Sequence, residues 1–510
     1  MLLPSFPLFA LLRRSTWLIA LCLGAPGLAA ASAVTSHARE YVLQTTASAD
    51  SNWDSRAGFL WNGAARTHHG VRATSWYILA LMLRDAPGDR DRALHALRAV
   101  LAQQINEPSA AWHGTFFRRP EEPAPRHDAK IWQDYDPNWR QFIGTAFALL
   151  LLEFEDRIPP ADRARIDESL RLAVEGELHH GRLQPTYTNI ALMHGFLQAY
   201  AGRRLQRPEW VQAGEAWMEA VYAAYQPHAT FEEFNSPTYY GVDLYGLALL
   251  RRHGVTPRLR ELGATMEQGL WREIAQSYHA GLRNLAGPFD RTYGMDLRRY
   301  VSLTGAWLRL AFPENQAPLP PLSTKMAHGN DLFFIPCFAL LGVEIPADAL
   351  PHFTRFSGER LLTRKIGDGR RVATSWLGTD LLIGGESTSL SRDTRGPQGQ
   401  FRPATLHWRL PDDDVGWIAL IQSSRVDAEA APHSLSIRAI GDSTFRIYAP
   451  GASLSQLKRD HWSLPGLEIR IETDARDFSV QPAAEFIDVT FHAATRFNFS
   501  TRTLRSPATP

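Results

Sequence analysis

Residues 187–203 read Tyr187-Thr-Asn-Ile-Ala-Leu-Met-His-Gly-Phe-Leu-Gln-Ala-Tyr-Ala-Gly-Arg203. Ile190, Met193, Leu197 and Tyr200 are spaced three, four and three apart, which lines one face of an α-helix. Similar spacing predicts helices over roughly 70–85, 89–104, 138–156, 161–179, 208–224, 237–252, 258–282 and 296–311. Pro87-Gly88, Pro159-Pro160, Gly181, Pro208, Pro227, Gly254 and Pro257 separate them, as helix breakers do. Helices of like length joined by short turns imply stacked helical hairpins. No repeat is sharp enough to give a solenoid period.

Beyond about residue 350 the texture changes. Arg371–Trp376, Asp380–Ile383, Val415–Ile421 and Leu467–Glu472 alternate or are rich in β-formers, with turn signals at Gly367-Asp368-Gly369 and Gly441-Asp442. Phe486–His492 and Arg496–Ser500 read as a closing pair of strands. Many short strands at this spacing imply an antiparallel sandwich. Pro313–Pro321, with its four prolines, is the expected connection. The expected order is a leader over 1–33, an all-α domain over 34–320 and an all-β domain over 321–510.

The chain has 510 residues, 45% hydrophobic, 21% charged and 11% aromatic, which excludes a disordered, collagenous or disulfide-scaffold chain. Lys+Arg is 54 against Asp+Glu 53, so no basic excess points to nucleic acid. Arg13-Arg14, the apolar run Trp17–Leu23, and Ala31-Ser32-Ala33 have the pattern of a secretory signal peptide cleaved after Ala33. The run is too short to span a bilayer and is followed by Gly24 and Pro26. The mature protein is therefore expected to be exported, with no membrane association. Only Cys22 and Cys337 occur; Cys337, amid Phe333-Phe334-Ile335-Pro336-Cys337-Phe338, reads as a buried small hydrophobe. With no CxxC, HExxH or P-loop pattern, no metal or cofactor is expected.

The densest polar-aromatic stretch is Phe231-Glu-Glu-Phe-Asn-Ser-Pro-Thr-Tyr-Tyr-Gly-Val-Asp243. Ser236-Pro237 suits an N-cap and N1 pair, which places Tyr239 at the positive end of a helix. A phenol there can act as base and then acid, provided nearby cations depress its pKa; packing at a helix entrance is the competing account. Asn189 opens an earlier helix, where its carboxamide can meet a ligand, and His194 lies five residues on. Gly287–Arg298 carries Asp290, Arg291 and Tyr293, with Arg291 suited to a substrate carboxylate. His328 is a loop histidine near the domain junction and a candidate proton carrier. His68-His69-Gly-Val-Arg72 and Asp136-Pro-Asn-Trp-Arg-Gln-Phe142 open two further helices. Trp112, Trp132, Trp139, Arg72 and Arg140 have the makings of a groove for acidic sugars, with rings to stack and guanidinium groups to hold carboxylates.

At Glu233-Phe-Asn-Ser-Pro-Thr-Tyr-Tyr240 the chain resembles polysaccharide lyases of the heparinase II/III and chondroitin AC type, whose catalytic stretch runs Glu, then Ser-Pro-x-Tyr-His. Tyr239 takes the catalytic place in that comparison, and Tyr240 replaces the family's following His. Asn189 looks like the Asn that binds the uronate carboxylate. Phe234-Asn235 stand where the chondroitin-type pattern has a His. Asn138-Trp139-Arg140 and Tyr187–Met193 also look like more divergent lyases acting on glucuronan or alginate. The resemblance implies an incomplete α/α toroid followed by an antiparallel β-sandwich, and β-elimination at a 4-linked uronate of an acidic polysaccharide. Tyr239, Asn189, Arg291, His194 and His328 are then the catalytic candidates. His69, Arg72, Trp139, Arg140, Glu233, Asn235, Tyr240 and Tyr293 are the substrate-binding candidates. Two rival classes remain: an inverting glycoside hydrolase using Glu232 or Glu233 with Asp290, and a non-catalytic exported glycan-binding protein.

Overall fold

The computed structural model describes residues 35–504 except 64, 323–325, 327, 393 and 395–398. The expected leader, with Cys22, lies outside the described residues. Twelve α-helices occur among those described: α1 (Ser36–Asp50), α2 (Val71–Arg84), α3 (Asp89–Leu101), α4 (Trp139–Phe154), α5 (Pro160–His179), α6 (Thr188–Arg204), α7 (Pro208–Tyr225), α8 (Tyr239–His253), α9 (Pro257–Ser277), α10 (Leu303–Ala311), α11 (Ile335–Leu341) and α12 (Leu350–Thr354). None is long and apolar enough to cross a membrane.

The helices form two layers. Hairpins α2/α3, α4/α5, α6/α7 and α8/α9 pair in sequence; α2, α4, α6, α8 and α10 then pack side by side as an inner ring, which α1 closes between α10 and α2. Burial follows this order. In α4 every residue from Trp139 to Leu151 is buried, in α6 Thr188 to Gly202, and in α8 Tyr240 to Leu250. The outer α7 buries only Trp210, Gly214, Met218, Val221 and Tyr225, a single stripe. A helix apolar all round belongs inside, and one with a stripe belongs outside.

The centre of the ring is filled by a later segment, Gly329–Leu341. Phe334 stacks on Trp76 of α2 at 4.2 Å and packs against Phe142 of α4 and Tyr245 of α8. One turn on, Phe338 stacks on Trp307 of α10 at 4.5 Å. Cys337 between them is fully buried, and burial pushes its thiol well above the usual value. The boundary expected at 320 is therefore too early: helical structure runs to Thr354 and the sandwich begins at Arg360. The periodicity gives no sign of α11 because a helix surrounded by core needs no polar face.

Short strands β1 (Trp53–Asp54), β2 (Phe59–Trp61) and β3 (His69–Gly70) precede α2, and the hairpin β4 (Tyr278–His279), β5 (Asn284–Leu285) follows α9. Thirteen further strands make the sandwich: β6 (Arg360–Ile366), β7 (Arg371–Leu377), β8 (Leu381–Ser387), β9 (Ala404–Arg409), β10 (Val415–Gln422), β11 (Arg425–Ala431), β12 (Ser434–Ile440), β13 (Ser443–Tyr448), β14 (His461–Leu464), β15 (Leu467–Thr473), β16 (Asp477–Ala483), β17 (Phe486–His492) and β18 (Arg496–Thr503). One sheet runs β16-β17-β13-β10-β9-β8-β7-β6 and the other β11-β12-β18-β15-β14, antiparallel throughout. Strand β10 shows why its run is apolar without alternation. Ile418 and Leu420 enter the sandwich core, while Trp417 and Ala419 join the core of the helical layer. Both faces of the strand are covered.

The start of α8 is pressed against α10. A Cβ on Gly241 would lie 2.3 Å from the Leu303 carbonyl carbon and 2.6 Å from the Thr304 nitrogen. Trp307 Nε1 also donates to the Gly241 carbonyl at 2.8 Å. Gly241→Ala is expected to destabilise the fold by about 1–3 kcal/mol, read as a lower urea midpoint at unchanged m-value.

Candidate active site

Because every hairpin returns to the same side, the inner helices all start at one mouth. A cavity of about 250 Å³ there is lined by Arg72 of α2, Asn138 before α4, Asn189 of α6, Tyr239 of α8 and Leu303 of α10. Each comes from the first two positions, or the cap, of its helix. Asn138, Tyr187 and Thr238 occupy the caps of α4, α6 and α8, none with a side-chain capping bond. The positive ends of five helix dipoles thus face one small space, an arrangement that favours an anion.

Tyr239 is the first residue of α8. Ser236 does not cap the helix as the sequence suggests; its hydroxyl donates to the Arg291 carbonyl at 2.5 Å. The Arg291 guanidinium lies 3.8 Å over the Tyr239 ring. Its Nη2 donates to the phenol oxygen at 2.6 Å, and Tyr293 OH is also 2.6 Å from that oxygen. Burial pushes the Tyr239 phenol well above the ordinary tyrosine value; Arg291 opposes this and Tyr293 reinforces it. The nearby cation therefore does not depress the phenol below its usual range, because desolvation is the larger effect.

Glu233 sits behind the phenol, 6% exposed. It accepts from Arg291 Nη1 at 2.7 Å, from Asn189 Nδ2 at 2.5 Å and from the Asn189 backbone N–H at 3.3 Å. Burial raises its carboxyl above the ordinary value despite these donors. Arg291 is held from the other side by the sandwich, since Gln400 Oε1 accepts from its Nε at 3.0 Å. The neighbouring Asp290 is clamped by Arg371 of β7 at 2.8 Å and by Arg392 at 2.6 Å. Phe289 and Arg402 exchange backbone hydrogen bonds at 3.0 and 2.9 Å. The loop bearing Arg291 and Tyr293 is thus laced to the large sheet.

Of the residues singled out in the sequence, Tyr239, Asn189, Arg291, Tyr293, His328, Arg72 and Trp132 line this cavity, and Trp139 lines the adjoining one. His328 stacks on Tyr293 at 3.9 Å, with Nδ1 3.6 Å from Asp331. Five others are elsewhere. His194 is buried on the outer side of α6 against Trp217, and burial holds its imidazole down at about 4. His69 stacks on Trp61 and bonds Glu121 and Asp54; its neighbour His68 lines the cleft. Arg140 pairs with Glu177 at 3.2 Å and donates to the His113 and Ala111 carbonyls. Asn235 Nδ2 bonds the Ala286 and Pro288 carbonyls, and the buried Tyr240 donates to Glu273. The acids of the hydrolase reading are not in the cavity either, Asp290 being consumed by its arginines.

Sequence reasoning takes in Tyr187, Asn138 and Asp136 as parts of motifs without naming them as site residues, and names neither Asp331 nor Gln400; all but Gln400 line the cavity. The first two share the signal that found Asn189, a polar residue at the start of an inner helix. Gln400 lies in a sheet loop and carries no such signal. Among the described residues no group of three or more His, Cys, Asp or Glu side chains is arranged to hold a metal ion.

A two-layered helical ring followed by two antiparallel sheets, with a polar cleft at the starts of the inner helices, is the class of molecule defined here. The chain belongs to the family described as a domain of unknown function, DUF8769, matched over residues 40–343. Residues 360–498 match a second domain of unknown function, DUF8770. Compared by sequence with curated proteins, the chain finds no match. Among solved structures it is similar to heparinase III, with 8% identity, TM-score 0.47, and 94% of this chain and 87% of that one covered. It is also similar to the Streptomyces coelicolor A3 chondroitin AC lyase in complex with chondroitin sulphate, with 12% identity, TM-score 0.49, and 95% and 81% covered. A third is endoglucanase CelQ from Clostridium thermocellum, with 9% identity, TM-score 0.29, and 93% of each chain covered.

Arg140 and Glu177 are 1% and 3% exposed in their side chains. Arg140→Met takes the buried cation from that carboxylate, leaving it Gln141 Nε2 at 3.1 Å and Arg182 at 3.7 Å, and strands two carbonyls; it is expected to cost about 3 kcal/mol of stability in chemical unfolding.

Proposed function

We propose that the protein is a polysaccharide lyase that cleaves a uronate-containing polysaccharide by β-elimination, with Tyr239 as base and then acid. The observation that carries this reading is the Tyr239 phenol, gripped by Arg291 where five helix N-termini converge. A uronate carboxylate is the kind of group such a field attracts. Once its charge is offset the neighbouring C5 proton becomes acidic enough to remove.

The steps follow from the contacts. Tyr239 loses its proton through Tyr293, which is exposed, and Arg291 holds the resulting phenolate. When the substrate carboxylate enters, Asn189 and Arg291, both oriented by Glu233, offset its charge together with the helix N-termini. The phenolate takes the C5 proton, the C5–H electrons form the C4–C5 double bond, and the C4–O4 bond breaks. The departing O4 takes the proton from Tyr239, which returns to phenolate. His328, stacked on Tyr293, lines the proton's way out. The leader read in the sequence supports an activity outside the cytoplasm.

Offered glucuronan, alginate, chondroitin, hyaluronan and heparan, the protein is expected to raise the ultraviolet absorbance of an unsaturated uronate with one of them. Tyr239→Phe should lower kcat by about 10²–10⁴-fold, the worth of a positioned acid–base group. New reducing ends without that absorbance would move the assignment to a hydrolase, and binding without either product to a glycan-binding protein.

The pH profile follows from the direction of the Tyr239 shift. The active form is the phenolate, and the pKa lies above the ordinary tyrosine value. The active fraction therefore grows about tenfold per pH unit below that pKa. Initial rates should show kcat/KM still rising between about pH 7 and 9; a plateau below neutrality would exclude Tyr239 as the base.

A further inference from the structure

The segment joining α3 to α4, residues 102–138, contains no named helix or strand. A structureless connection of that length in a compact fold is uncommon and usually functional. It is not loosely attached, for Ile105, Trp112 and Tyr135 make a small core of their own. At its far end Trp132 is 45% exposed with φ +71°, a backbone region that bulky residues avoid and that clusters at ligand sites. Its ring lines the catalytic cavity, and the Arg182 guanidinium stands 5.6 Å over it.

Two larger cavities continue from the catalytic one. The first, about 700 Å³, shares Arg72, Trp76, His328 and Asp331 with it. The second, about 610 Å³, shares Arg118, Arg119 and Gln133 with the first. Volumes of this size take ligands of several rings. Among the described residues the first is lined by Arg72, Arg118, Arg119, His68 and His328 against one acid, Asp331. Farther out, Arg126 and Lys130 stand with Glu122, Asp128 and Asp134; Glu122 is taken up by Arg118, and Asp134 accepts from the Lys130 backbone N–H at 2.7 Å. No carboxylate among the described residues lies within ion-pair distance of Arg119.

We propose that this trough is an extended subsite for anionic sugar units beyond the bond that is cut. Trp132 stacks on the ring next to that bond, and Arg119 holds charged groups of units farther along. The protein therefore selects long polyanionic glycan chains over short ones. The position of the cut bond rests on the lyase reading; the binding does not.

The test uses the mature protein carrying Tyr239→Phe, so that ligands persist, and calorimetry with size ladders of oligoglucuronate and oligomannuronate at several salt concentrations. Affinity is expected to rise at least about tenfold from disaccharide to hexasaccharide in one ladder and to fall as salt rises. Arg119→Gln, an exposed change that leaves the small core intact, should flatten both dependences, and Trp132→Ala the length dependence. Affinity indifferent to length in both ladders, or to Arg119, would overturn the proposal. So would equal binding of neutral cello-oligosaccharides, or of single-stranded DNA. If unsaturated product forms while binding ignores length and Arg119, the trough fails and the lyase reading stands. If no product forms but the ladder still binds by length, the trough stands alone.

Discussion

Five helices that must all begin at one mouth are the constraint on which the rest of this molecule depends. Short hairpins alternate inner and outer helices, so the inner ones run parallel and their positive ends add rather than cancel. The field is therefore a property of the winding, present before any charged side chain is placed. It also explains why so few cations stand at the catalytic cavity itself. Stacking of Phe334 on Trp76 and of Phe338 on Trp307 fills the ring beneath and gives that cavity a solid floor, with Trp76 serving both core and cleft.

Onto this frame Glu233 fastens the side chains of the candidate site. One buried carboxyl joins Asn189 from the start of α6 to Arg291 from a loop more than a hundred residues away in sequence. Arg291 then lies flat on Tyr239, its orientation completed by Gln400 of the sandwich. The sheets are thus part of the site without lining much of it. They fix the angle of one guanidinium, and through the Arg371–Asp290 pair they fix the loop that carries it.

Much of this was legible in the residues. The 3.6-residue pattern separates helices from strands, and the polar residues at the starts of helices mark Tyr239, Asn189 and Arg72. Features set by tertiary surroundings were not. The roughly 140° between Asn189 and His194 already sets the two on different faces, but only α7 shows that His194 meets Trp217; Arg140 follows Trp139 by about 100° around α4 and so meets Glu177. Tyr240 follows Tyr239 directly, yet a helix turns about 100° per residue, which sends its phenol to Glu273 in the core. The aromatic segment Phe333–Phe338 hid its role because a helix enclosed on every side has no polar stripe to reveal it. Gln400 was silent for another reason, since its partner is brought to it only by the docking of the large sheet.

The α3–α4 segment has a small core of its own in Ile105, Trp112 and Tyr135, while Phe116 and the carbonyls of Ala111 and His113 tie its middle to the main core and to Arg140. Changes of charge on its exposed stretch, at Arg119 for one, leave those ties and the start of α4 in place. On the proposed reading, variation in that exposed stretch retunes which chains bind without touching the proposed chemistry, and it is the natural place to graft a new preference.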